Sequence, residues 1–298
     1  MNTEKPQVHR VERVDDIPVL LATLEKLKVA EILDRHFPSG HRWKGELTFG
    51  EVVCVWLAFI TSQGDHRLCC VQDWVEANLH TLQVCLGKAV RPLDFHDDRL
   101  ANILDHLAGD GSWQDFEAEL NQHTVAVYHL NPDLFRVDTT TASTYAEVLS
   151  SLGLIQFGHS KDRDDLPQIK IPMATLDPLG MAVTTFVVPG NCADDPLYVP
   201  EIKKVQQAFG TAGKTYVGDC KMAALATRAY LASTSDYYLC PLSEAQLSRQ
   251  ELLGLLQPVW QGQQGLVRVY RPGEDDEGEE LVAEGFFLDV PLQDEVDG

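Results

Sequence analysis

Two aspartates, Asp138 and Asp219, each close a short β-branched run: Phe135-Arg136-Val137-Asp138-Thr139-Thr140 and Thr215-Tyr216-Val217-Gly218-Asp219-Cys220. If the two runs are strands lying side by side in one sheet, both carboxylates emerge at the same edge. There they would be spaced to share hard divalent cations, which take oxygen ligands and assist phosphoryl transfer. Aspartate is also a common turn residue, so the pattern alone leaves a solvated strand-end role open for each.

The elements that must position these residues follow from periodicity. From about Asp15 to Leu130 apolar residues recur at helical spacing, as in Val19, Leu20, Leu24 and Leu27, then Val52, Val53, Trp56, Leu57 and Ile60. Thr48-Phe49-Gly50-Glu51 reads as a capping box that opens a helix. Further helices are expected over 68–86, 97–107 and 112–128, the last with Ser112 and Asp115 as a second box. After the turn signal Asn131-Pro132-Asp133 the pattern changes. Strands are expected at 134–138, 169–176, 181–188, 215–218 and 237–239, with helices at 197–209 and 223–232. Three strands, a helix and a further strand make an order that sets Asp138 beside Asp219. Beyond Ser243 a helix at 246–256 precedes two alternating runs, 266–271 and 280–290, around the acidic turn Pro272-Gly273-Glu274-Asp275-Asp276-Glu277-Gly278.

Four motifs in order, Val137-Asp138-Thr139-Thr140, Gly158-His159-Ser160-Lys161-Asp162-Arg163-Asp164-Asp165-Leu166-Pro167-Gln168, Pro189-Gly190-Asn191-Cys192-Ala193-Asp194 and Val217-Gly218-Asp219-Cys220-Lys221-Met222, give the chain a resemblance. It resembles the DDE transposases of bacterial insertion sequences, in the branch with an N-terminal helical domain of unknown function. The likeness runs from about Val11 to about Leu242. It implies an α+β chain: a helical bundle over 1–130, the first part of an RNase H-like α/β core over 131–242, and a partial β-rich insertion with an acidic hairpin over 243–298. It also implies a C-terminally truncated enzyme acting on double-stranded DNA at transposon ends, a homodimer when intact. Asp138 and Asp219 would be its catalytic metal ligands for two Mg²⁺ ions, and Lys161, Arg163 and Lys221 its DNA contacts. Two departures stand out. The family usually has Arg-Gly after the second aspartate, where this chain has Cys220-Lys221, and its third acidic residue has no clear counterpart.

Composition narrows the alternatives. The chain has 298 residues, 44% of them hydrophobic, enough to fill real cores. No run is long and apolar enough for a membrane span, and Met1-Asn2-Thr3-Glu4-Lys5-Pro6 lacks a signal-peptide core, so a cytoplasmic protein is expected. The net charge of −21 argues against a generic polyanion binder, and contact with DNA would need local basic patches. Neither a glycine-rich nucleotide loop nor a Gly-x-Ser-x-Gly elbow occurs, so no nucleotide cofactor or serine chemistry is expected. The cysteines at 54, 69, 70, 85, 192, 220 and 240 form no Cys-x-x-Cys pair and read mostly as small buried hydrophobes, Cys220 excepted.

Other candidates read as structural. Glu251 with Ser248 fits a capping box, Glu244 follows Ser243 at a helix start, and Glu201 lies between the two aspartates in the wrong order for a third ligand. Lys170, Lys203, Lys204 and Arg228 read as solvated faces, with Lys221 the strongest phosphate contact because it sits two residues past Asp219. Histidines such as His36, His66, His96 and His106 show no metal spacing, and Trp43, Trp56, Trp74 and Trp113 fit helix cores.

Overall fold

The computed structural model describes residues 11–289, apart from 41, 42, 44, 110, 160–162, 164 and 273–278. The acidic turn and Lys161 therefore lie outside the described residues. Seven helices come first: α1 (Ile17–Lys26), α2 (Val29–His36), α3 (Phe49–Gln63), α4 (Val71–Ala77), α5 (Leu79–Leu86), α6 (Asp97–Leu107) and α7 (Ser112–Tyr128). Helix α3 is the centre of this region, because residues on nearly every side of it are buried. The Thr48 hydroxyl accepts the Glu51 N–H at 3.2 Å and the Glu51 carboxylate accepts the Thr48 N–H at 2.8 Å, which closes the expected capping box. Close approach fixes Gly50: a Cβ there would fall 2.2 Å from the Ala30 carbonyl oxygen of α2.

Two helical expectations are corrected. The segment from Leu68 to Leu86 is not one helix but a 3₁₀ turn followed by α4 and α5. Asn78 divides them, since its side-chain amide donates to the Trp74 carbonyl at 2.8 Å and so competes with the backbone ladder. Ser112 and Asp115 form no capping box, because Gly111, at φ 86, turns the chain and leaves Ser112 already inside α7.

The remaining elements are β1 (Leu134–Ser143), β2 (Gln168–Leu176), β3 (Met181–Thr185), β4 (Val188–Pro189), α8 (Tyr198–Phe209), β5 (Thr215–Val217), α9 (Leu225–Ser233), β6 (Tyr237–Leu239), α10 (Arg249–Trp260), β7 (Val267–Pro272) and β8 (Glu279–Gly285). The run expected at 181–188 is thus two strands. The larger sheet has the order β3-β2-β1-β5-β6, with β4 beside β2. Strands β2 and β3 are antiparallel in the register Met173↔Thr185, while β5 and β6 are parallel in the register Tyr216↔Tyr238, joined through α9. The fold is α+β, a helical N-terminal region followed by a mixed sheet. Among the described residues no helix is long and apolar enough to cross a membrane.

The chain divides into two compact units: Met1–Leu134 with Met173–Phe186 and Pro200–Thr211, and Phe135–Pro172 with Val187–Val199 and Ala212–Gly298. In the first unit the helices share one core, which includes Phe37, Val52, Val55, Phe95 and Leu100. The same unit buries Glu201 of α8 completely. The Thr184 hydroxyl donates to Glu201 Oε1, while Oε2 has no partner. Burial pushes this carboxyl above its usual range, and the nearby Glu117 adds to the rise, against the pull of Thr184 and Lys204.

In the second unit, Phe135 of β1 and Tyr216 of β5 are both 0% exposed and stack with ring centroids 5.9 Å apart. By contrast α10 has no buried residue, and the β7–β8 hairpin carries its cross-strand pairs Arg268–Glu284 and Arg271–Glu280 on an exposed surface.

Because folding raises the Glu201 pKa, the folded state holds that proton more tightly than the unfolded chain. The resulting penalty appears as pH climbs above about 4.5 and is complete above the folded pKa. Glu201→Gln is expected to raise the thermal midpoint at pH 7, equivalent to about 1–3 kcal/mol. It should give no gain near pH 3, as read from unfolding scans across pH.

Candidate active site on neighbouring strands

Strand β1 alternates: Phe135, Val137 and Thr139 are buried, while Arg136, Asp138 and Thr140 face solvent. Asp138 lies three residues beyond Phe135, and Asp219 three residues beyond Tyr216. With those two rings stacked, the carboxylates stand level with each other if the strands run parallel. In antiparallel strands, at about 3.3 Å per residue, they would lie roughly 20 Å apart. Tyr198 is bonded at Asp219: its hydroxyl donates to Asp219 Oδ1 at 2.6 Å. Strand β1, which carries Asp138 and runs on past it to Ser143 rather than ending there as expected, is the neighbour of β5 in the sheet. Burial first, then the bond to Asp219 and the charges of Asp219, Asp138 and Asp194, raise the Tyr198 pKa far above that of an ordinary tyrosine, so it stays a hydrogen-bond donor.

Each carboxylate is held by one oxygen. Asp138 Oδ1 accepts the Thr139 N–H at 2.7 Å, and Asp219 Oδ1 accepts the Lys221 N–H at 2.9 Å in addition to Tyr198. Among the described residues no donor is bonded to Oδ2 of either. Two exposed carboxylates carried by neighbouring strands offer hard oxygen ligands of the kind a Mg²⁺-type cation takes, though two alone would hold it weakly.

A basic group completes the cluster, and it corrects a sequence expectation. Lys170 is not solvated but 5% exposed; its ammonium donates to Asp194 Oδ1 at 2.5 Å and to the Cys192 carbonyl at 2.7 Å. Asp194 Oδ2 accepts from the Lys221 ammonium. Partial burial pushes the Asp194 carboxyl up, but the bonds from Lys170 and Lys221 outweigh it and hold the group below the usual carboxylate range. The bond to Asp194 correspondingly raises the Lys221 pKa.

The structure thus joins Asp219 and Lys221 by hydrogen bonds, adds Tyr198, Asp194 and Lys170 to them, and sets Asp138 on the neighbouring strand. Asp194 was within a quoted motif, whereas Tyr198 carries no sequence signal. Arg163 sits on an exposed segment, where it chelates Asp165 at 2.7 Å through Nε and Nη2. Glu201 is buried against Thr184, and Glu251 caps α10 by exchanging bonds with Ser248. At the other proposed helix start the cap of Ser243 is Gln246, not Glu244. Lys204 is half-buried and donates to the Thr185 carbonyl, and Arg228 is half-buried too; neither is a solvated face. Only Cys54 is buried among the cysteines, with Cys69 and Cys220 exposed and the others between, and Trp113 is 39% exposed. Among the described residues, three metal-type ligands cluster at His96, Asp97 and Asp98, where His96 caps α6.

The quoted glycines support this site by letting three segments touch. Gln168 is fully buried, and its amide donates to the Gly190 carbonyl at 2.9 Å and the His159 carbonyl at 3.2 Å. A Cβ on Gly158 would fall 2.1 Å from the Gly190 oxygen, and one on Gly190 2.1 Å from the Gln168 oxygen. This cradle holds the start of β2, and with it Lys170, against the segment that leads to Asp194.

Comparison with known proteins gives three results. The profile of a domain of unknown function, DUF4277, matches residues 9–118, the helical N-terminal part and less than half of the chain. No curated protein sequence matches. Among solved structures, a piggyBac transposase synaptic complex with hairpin DNA aligns over 82% of this chain at 9% identity and a TM-score of 0.40, and the chain spans 54% of that protein's length. A Mos1 transposase paired-end complex with the left transposon end aligns over 86% of this chain and 92% of its own at 10% identity and a TM-score of 0.27. A pre-cleavage Mos1 transpososome aligns over 82% and 84%, also at 10% identity and 0.27.

Gly190→Ala should lower the thermal midpoint by the equivalent of more than about 2 kcal/mol, since backbone must move to admit the methyl group. Gly254→Ala, in open space on α10, should be neutral or slightly stabilising by helix propensity. Circular dichroism melting of the two variants checks the contrast.

Proposed function

We propose that the chain is a DNA transposase of the insertion-sequence type, or part of one, whose core performs divalent-metal-dependent phosphoryl transfer at the ends of its element in the cytoplasm. The observation that carries this reading is that Asp138 and Asp219 are exposed residues on, and just past, the neighbouring strands β1 and β5, with the Tyr198 hydroxyl bonded to Asp219. The sheet order and the four sequence motifs support it. Asp138 and Asp219 would each offer Oδ2 to Mg²⁺, two ions in the intact enzyme. Such ions, when bound, stabilise the attacking and leaving oxygens of an in-line displacement. The protein's own part is positional: Tyr198 and the Lys221 N–H fix the Asp219 carboxylate, and the Thr139 N–H fixes that of Asp138. Lys221, with Lys161 and Arg163, would meet DNA phosphates, and a homodimer would bring two element ends together.

A second reading has a specific observation in its favour. Asp194 is committed to two lysines, Glu201 to the core and Glu251 to a helix cap, so none of them serves as a third ligand. The chain would then be a catalytically inactive module that binds DNA ends or a partner subunit.

Mn²⁺ titration followed by electron paramagnetic resonance tests the metal site. Binding should be lost in Asp138→Asn and in Asp219→Asn and kept in Glu201→Gln; binding indifferent to both aspartate changes would overturn the assignment. Strand cleavage of element-end oligonucleotides separates the two readings. The chain as it stands should cleave little or not at all, whereas clear cleavage that depends on both aspartates would eliminate the inactive-module reading.

A further inference from the structure

We propose that Lys221, held by the buried Lys170–Asp194 pair, is a phosphate-binding subsite beside Asp219, and that Lys170 and Asp194 are its positioning residues. The inference deepens the reading above and rests on it for the identity of the ligand, a DNA phosphodiester.

Charge sets the first requirement. Asp138 and Asp219 repel a phosphate, so a substrate that is to lie beside them needs a cationic group near by. Lys221 is the ammonium in place, but it is bonded to Asp194. A lysine paired one to one with a carboxylate is a neutral unit with little pull on an anion. Here the same carboxylate also holds Lys170. Two ammonium groups on one carboxylate leave one net positive charge.

Burial then decides where that charge is felt. The Lys170 side chain is 7% exposed and spends its donors on Asp194 and the Cys192 carbonyl, so it cannot reach a ligand. The Lys221 side chain is 43% exposed. Lys170 cancels Asp194 from inside, and Lys221 presents the remaining charge to solvent. Position is fixed twice, because the Lys221 backbone N–H is bonded to Asp219 Oδ1 while its ammonium is bonded to Asp194 Oδ2. Stability alone does not account for the arrangement, since apolar side chains in place of a buried ion pair are often as stable or more so.

The test is duplex binding across a salt series, with a fluorescein-labelled double-stranded oligonucleotide, for variants whose fold is checked by circular dichroism. The slope of log affinity against log salt reports the phosphates neutralised, about 0.9 per contact. Lys221→Ala should reduce it by about one contact and Lys221→Arg should keep it. Lys170→Met should reduce it as much as Lys221→Ala, because Asp194 then neutralises Lys221, and the two changes together should do no more than either. Lys170→Met combined with Asp194→Asn removes both internal charges and should restore the slope, which a purely structural role for the pair would not do.

A folded Lys170→Met protein with the wild-type slope, a double variant that fails to recover, or a wild-type chain that binds no duplex at low salt would each overturn the proposal. If Lys170→Met does not fold, equal slopes for Lys221→Ala and wild type overturn it. Competition by inorganic phosphate at matched ionic strength, present in wild type and absent in Lys221→Ala, would assign the subsite to free phosphate; no competition assigns it to DNA. The Mn²⁺ titration stays independent of these slopes, so loss of the metal reading and loss of the phosphate subsite are distinguishable.

Discussion

The contact on which the rest of the second unit depends is the stack of Phe135 on Tyr216. It joins the start of β1 to the middle of β5, strands separated by most of the core in sequence, and it is completely removed from water. Burial of an aromatic ring stabilises by about 1.5–3 kcal/mol, and pairing two rings adds to that. A slip of one residue in β1 would turn Phe135 to solvent and Asp138 inward. The same apolar contact that holds the two strands together therefore also fixes the face of β1 on which Asp138 stands.

Around that stack the acidic and basic groups are arranged by exposure. Asp138 and Asp219 keep one oxygen each in hydrogen bonds to backbone or phenol, and these bonds orient them without neutralising them. The lysines are sorted by depth instead, one buried and one exposed on a shared carboxylate. For a chain with a net charge of −21 this local order matters more than the total. Long-range attraction to a polyanion is weak, and what remains is set within the few ångströms that salt screens least.

Much of the fold was legible because period and punctuation agreed. The α6, α7 and β6 boundaries match their expected ranges, and the capping boxes at Thr48 and Ser248 are present atom for atom. That Asp138 and Asp219 belong to neighbouring strands was legible from strand order, but β1 runs on to Ser143, so Asp138 is not the strand end the β-branched run suggested. Lys170 was not, for a physical reason visible in β2. Its intermediate residues, Ile169, Ile171, Met173 and Thr175, look like the apolar face, yet the buried face is Gln168, Lys170, Pro172, Ala174 and Leu176. Both faces are apolar enough to be covered, and only the partners Asp194 and Cys192 make the lysine affordable on the inner one. Tyr198 was hidden likewise, since a tyrosine at a helix start announces nothing until the strand end beside it is placed. The divided helix between Leu68 and Leu86 turned on one asparagine amide, a local competition that periodicity cannot register.

Helix α10 and the β7–β8 hairpin have a different standing from everything before them. Among the described residues neither strand of the hairpin nor the helix buries a side chain, and an isolated two-stranded hairpin is marginal in water. The backbone amides there should therefore exchange with solvent through small local openings, while those of β5, beneath Tyr216, wait for the sheet to come apart. Denaturation of this chain is then a sequence of events, with the region past Ser243 released first, and one equilibrium constant does not describe it.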